Sequence, residues 1–97
     1  MSPDPFAALA ELAREEHRLV IEERFEELEA LDLRRSALLA ALPRETPPGS
    51  VGHLREAARV QALVTVALRE ARDTTQGELA RLGRTREGLR GYAATAR

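Results

Sequence analysis

Pro43-Arg44-Glu45-Thr46-Pro47-Pro48-Gly49-Ser50-Val51-Gly52 is the one clear interruption in an otherwise helical sequence. Proline removes amide donors and glycine leaves the backbone unconstrained, so a helix arriving from either side stops here. Upstream, no Gly or Pro occurs between Phe6 and Leu42. Asp4-Pro5 is a suitable start: Asp accepts from free helical amides, and Pro tolerates a first position whose N–H has no partner anyway. The sequence therefore predicts a first helix over about 5–42, roughly 55 Å long. Downstream, Ser50 can cap a second helix over about 53–92. Residues 43–52 form the loop, and 1–97 is a single helical domain.

Composition points the same way. Ala, Leu, Glu and Arg dominate, and all are strong helix formers. There is one Ile, three aromatic residues, and no Cys, Trp, Lys or Asn. The absence of cysteine excludes disulfides and thiolate metal sites. The start, Met1-Ser2-Pro3-Asp4, has no basic and apolar leader pattern. No apolar run approaches the roughly 20 residues that span a bilayer. A cytoplasmic protein is expected.

Both helices are amphipathic. Steps of three and four from Leu54 pass through Ala57, Gln61, Val64, Leu68, Ala71, Thr75, Glu78, Leu82, Thr85, Leu89, Tyr92 and Ala96, a near-heptad seam. The first helix has a more interrupted seam through Ala10, Arg14, His17, Ile21, Arg24, Leu28, Leu31, Arg35, Leu38 and Leu42. Charge is split: residues 1–32 carry ten acids and three Arg, a net of −7, while residues 33–97 carry a net of +6. Folding at the loop would set the acidic stretch Glu11–Asp32 against Arg69, Arg72, Arg81 and Arg84. The expected fold is all-α, an antiparallel two-helix hairpin. Leu9, Leu12, Leu19, Leu33, Leu63 and Leu79 lie off the seam and stay partly wet, so dimerisation or a partner helix is expected to complete a bundle. Gly77, Gly83, Gly88 and Gly91 each cost about 1 kcal/mol inside a helix. This last quarter, from Gly77 on, should fray unless something holds it, with 93–97 beyond the helix.

Chemistry is absent from this pattern. His17 and His53 have no helical ligand pair beyond the isolated His53/Glu56, so no metal or other cofactor is expected. The doublets Glu15-Glu16, Glu22-Glu23 and Glu26-Glu27 spread around a helix and do not converge, and no nucleophile–base set can be drawn. No enzyme is expected. Gly83 to Gly88 lacks the strand that phosphate loops follow. Arg81, Arg84, Arg86, Arg90 and Arg97 could contact nucleic acid, but the chain as a whole is not basic and Tyr92 is the only nearby aromatic.

Two segments carry a family resemblance. Leu28 to Pro43, reading Leu-Glu-Ala-Leu-Asp-Leu-Arg-Arg-Ser-Ala-Leu-Leu-Ala-Ala-Leu-Pro, closes the first helix. Leu79 to Tyr92, reading Leu-Ala-Arg-Leu-Gly-Arg-Thr-Arg-Glu-Gly-Leu-Arg-Gly-Tyr, closes the second. Over about residues 8–92 the chain resembles the FlgN/FliT-type flagellar export chaperones. Where that family commonly places Asn in the second helix, this chain has only Gln61 and Gln76. The resemblance implies a cytoplasmic chaperone that binds C-terminal amphipathic helices of hook–filament junction or filament-cap proteins and delivers them to the flagellar type III export apparatus. The expected partner groove is lined by Val64, Leu68, Leu82, Leu89 and Tyr92, with Leu28 and Leu31 opposite. Each of these residues equally fits an ordinary hairpin or dimer core. Two other roles fit the residues: a self-associating coiled-coil adaptor without export duties, and a small nucleic-acid-associated protein using its Arg-rich tail.

Overall fold

The computed structural model describes residues 4–95, with side chains to Gly91. It is all-α, and no strand occurs among the described residues. There are three helices instead of two: α1 (Pro5–Ile21), α2 (Leu28–Ala41) and α3 (Val51–Thr95). Single 3₁₀ turns precede α2 (Phe25–Glu27) and α3 (Pro48–Ser50).

The predicted first helix is broken at Glu22–Glu27. Glu23 adopts φ 60°, the left-handed region that glycine usually fills. Its amide donates to the Val20 carbonyl (3.1 Å), and the Arg24 amide donates to the Leu19 carbonyl (2.8 Å). That pair of bonds is a Schellman helix stop with glutamate where glycine is normal. Arg24 braces the turn, donating to Glu27 at 2.7 Å and lying 3.6 Å from Glu22. A left-handed non-glycine residue costs about 1–2 kcal/mol. The compensation is burial, because α2 folds back and forms a cluster of Leu12, Leu19 and Leu31, with Leu28 and Leu38 against it. Each buried leucine contributes roughly 2 kcal/mol, so the strain is outweighed. Glu23→Gly should therefore raise stability by about 1 kcal/mol and raise the melting temperature in a calorimetric scan. Unchanged or lower stability would mean that the glutamate is held there at no cost.

Two reversals of direction make α3 run parallel to α1. The contacts record this register. Ser50 Oγ donates to Asp4 Oδ2 (2.8 Å), and Arg14 lies 3.8 Å from Glu56. Asp4 also caps α1, its Oδ1 accepting from the Phe6 amide (2.9 Å). These two bonds hold its carboxyl below the ordinary value of 3.8, with Ser50 the larger cause. Ser50 thus ties α3 to the start of α1. The two-helix hairpin is not shown: the acidic first segment lies parallel to the second long helix, and its antiparallel neighbour is α2.

The core is centred on α1. Phe6, Leu9, Ala10, Leu12, Ala13, Leu19 and Val20 are buried, since α3 covers one side and α2 another. Leu9, Leu12 and Leu19 were expected to stay wet, and the returning α2 explains why they do not. Leu33, Leu63 and Leu79 do remain exposed. From α3 the buried residues are Val60 and Val64.

Candidate helix-docking surface

Helix length creates the surface. At 1.5 Å per residue, α1 spans roughly 25 Å and α3 roughly 67 Å. The molecule is correspondingly elongated, with extents of 76 × 22 × 20 Å. The three-helix body covers α3 as far as Ala71, and every residue from Arg72 to Gly91 is exposed. The glycines do not end α3, which continues to Thr95. Ala96 and Arg97, at the end that was expected to fray, lie outside the described residues.

One stripe runs the length of α3: Leu54, Ala58, Gln61, Thr65, Leu68, Arg72, Thr75, Leu79, Leu82, Arg86 and Leu89 alternate steps of four and three. Within the body this stripe borders a groove. Leu54, Ala57, Ala58 and Gln61 of α3 form one wall, Arg35 and Leu39 of α2 the other, and Leu9 and Ala13 of α1 line it between them. The groove is open because α2 and α3 flank α1 with little contact between them. Leu39 and Leu54 on its walls are exposed. Beyond the body the stripe continues as Leu79, Leu82 and Leu89, each more than 60 % exposed (61 %, 63 % and 64 %). Thr75 and Thr85 lie among these leucines. Their hydroxyls already donate to the carbonyls of Ala71 (3.0 Å) and Arg81 (2.9 Å). Covering this face therefore strands neither hydroxyl.

The electrostatics divide along the same boundary. Within the body, charges pair between helices: Arg34 lies 3.7 Å from Glu15, and Arg35 pairs with Glu16. Glu16 is buried, and burial pushes the Arg35 guanidinium below its usual range. In the projecting half, Arg81, Arg84, Arg86 and Arg90 have no ion pair among the described residues. Arg72 meets only its neighbour Asp73, at 3.8 Å. The expected pairing of Arg69, Arg72, Arg81 and Arg84 with the acidic first segment does not form. The parallel direction of α1 carries that segment away from most of them.

The predicted groove residues separate into two groups. Leu31 and Val64 are core, and Leu28 packs against the same cluster. Leu68, Leu82 and Leu89 are exposed on α3. The side chain of Tyr92 lies outside the described residues. The structure thus does not bring these residues together across one groove. Leu39, Leu54 and Leu79 belong to the exposed surface instead. Leu54 was on the predicted seam, and Leu79 sits three residues before Leu82, so the 3-4 spacing alone could have found it. Among the described residues, no three His, Cys, Asp or Glu side chains are grouped to hold a metal. No described helix is long and apolar enough to cross a membrane. No protein-family model, curated protein or solved structure matches the chain.

Proposed function

We propose that the protein is a carrier for amphipathic helices, of the FlgN/FliT flagellar export chaperone type. The observation that carries this reading is the exposed face of α3, whose leucines Leu54, Leu68, Leu79, Leu82 and Leu89 lie on one stripe from the body groove to the projecting end, interrupted by Arg72, Thr75 and Arg86. An amphipathic helix waiting for export presents a matching stripe and aggregates unless it is covered. Laying one stripe on the other covers the leucines of both, which serve as the apolar anchors. The cargo is then the C-terminal helix of a hook–filament junction or filament-cap protein, met in the cytoplasm. No catalytic step and no cofactor enters this role. The resemblance in Leu28–Pro43 and Leu79–Tyr92 supplies the cargo class, and the exposed stripe supports helix binding.

Titration calorimetry of the full chain with synthetic C-terminal helices of such proteins tests it. Saturable one-to-one binding is expected. Leu89→Asp should weaken it at least tenfold, because a carboxylate on the docking stripe would have to be desolvated. The melting temperature of the free protein at low concentration should stay the same, because Leu89 is exposed. Binding that is absent for every such helix, or insensitive to Leu89→Asp, rejects the role. A self-associating adaptor with no export role is the second reading, favoured by the same exposed stripe if those helices are ignored.

A further inference from the structure

We propose that, when no cargo is bound, a second copy of this chain covers the stripe. In this dimer the two α3 helices run antiparallel about a two-fold axis near Thr75. The inference rests on the same surface as the carrier role, but assigns it a different occupant.

Three features point to a second copy. The first is length. Residues 51–71 of α3 lie within the body and 72–91 project from it, so each portion is roughly 30 Å long. With the axis near Thr75, the projection of one copy is therefore long enough to reach along the body of the other as far as residue 59. The second is continuity. The projecting leucines extend the stripe that borders the body groove, so one antiparallel alignment sets residues 72–91 of each copy against 59–78 of the other, with Leu89 reaching the Gln61 end of the groove. With the axis near Thr75, Leu82 comes beside the partner's Leu68, and Leu89 beside the partner's Gln61. Such an interface is self-complementary and closes without forming fibres.

The third feature is charge. Arg14–Glu56 and Asp4–Ser50 fix α1 parallel to α3, so the turn after α1 lies near the level where α3 leaves the body. Glu23, Glu26 and Glu29 at this turn are exposed and have no ion pair among the described residues. The antiparallel alignment carries the unpaired Arg81, Arg84 and Arg86 of the second copy past this turn, with Arg81 also level with Arg69 of α3. A parallel alignment would set each arginine cluster against its own copy. Like charges in register are unfavourable, so the antiparallel direction is selected.

The test uses the full chain at micromolar and higher concentrations. Sedimentation equilibrium should give twice the 10.7 kDa chain mass. Leu82→Asp should give the monomer mass with unchanged helicity, and its melting temperature should match that of the unaltered chain once both are diluted to monomer. The chain has no cysteine, so single cysteines report geometry cleanly. Oxidised Thr75→Cys should form a covalent dimer, whereas Leu89→Cys, far from the axis, should not. A monomer at all concentrations overturns the proposal, as does a dimer unaffected by Leu82→Asp. Crosslinking through Leu89→Cys in place of Thr75→Cys overturns the antiparallel arrangement. A monomer that binds cargo helices removes the dimer and leaves the carrier role. A dimer that ignores them does the reverse.

Discussion

Arg35→Met should destabilise the protein by about 3 kcal/mol, because it leaves the buried Glu16 carboxylate without its partner. Glu16 is 7 % exposed on α1, and Arg35 reaches it from α2. Arg35 also lies 3.5 Å from Asp32, which is well exposed and gives little support. The cost arises because a buried carboxylate beside Leu28, Glu29 and Asp32 must either remain charged without compensation or take up a proton. The paired change Glu16→Leu with Arg35→Met removes both charges and should recover most of the loss, since apolar replacements of similar size often match a buried ion pair. Denaturant unfolding of the two single variants and the double variant gives the coupling directly. A cost below about 0.5 kcal/mol for Arg35→Met would show that the pair behaves like a surface contact.

The second large effect separates two residues on one predicted seam. Val64→Asp should unfold the chain, whereas Leu82→Asp should change its melting temperature hardly at all at concentrations too low for the chain to pair. Val64 is fully buried between α3 and the rest of the body, and Leu82 is exposed. A carboxylate at position 64 has no cationic partner, and its burial should cost more than about 4 kcal/mol. A domain of this size has about 5–10 kcal/mol in total. An exposed substitution such as Leu82→Asp stays within about 0.5 kcal/mol. Circular dichroism melts of both variants check this. Equal destabilisation by the two changes would mean that α3 is supported along its whole length and that the projecting half is part of the core.

The helical class, a break after Leu42 and a long C-terminal helix could be read from the sequence, although Val51 and Gly52, expected in the loop, already belong to α3. They follow from strong local signals: proline and glycine at the break, and good helix formers with a regular seam on either side. The split of the first helix could not be read. Its stop places Glu23 in the left-handed conformation, and no glycine, asparagine or proline marks it. What selects the break is tertiary, the burial of Leu12 and Leu19 under Leu31, and single-sequence periodicity does not report it. The charge asymmetry was real, but its meaning depended on that break. Once α2 folds back, Arg34 and Arg35 meet Glu15 and Glu16, and the arginines beyond Ala71 are left for solvent or a partner. For the same reason the seam could not separate Val64 from Leu82. Both occupy heptad-like positions, and only the end of α1 at Ile21 determines which one is covered.

The unequal lengths of α1 and α3 give the chain two scales of constraint. Residues within the body answer to the folding equilibrium, since a change at Val64 or Arg35 alters the fraction of molecules folded. Residues beyond Ala71 answer chiefly to whatever lies against them, because the body does not pack on them. The projecting half is thus free to drift in sequence, limited mainly by helix propensity and by its occupant. Selection for a new partner could rewrite Leu79–Leu89 while leaving the three-helix body untouched.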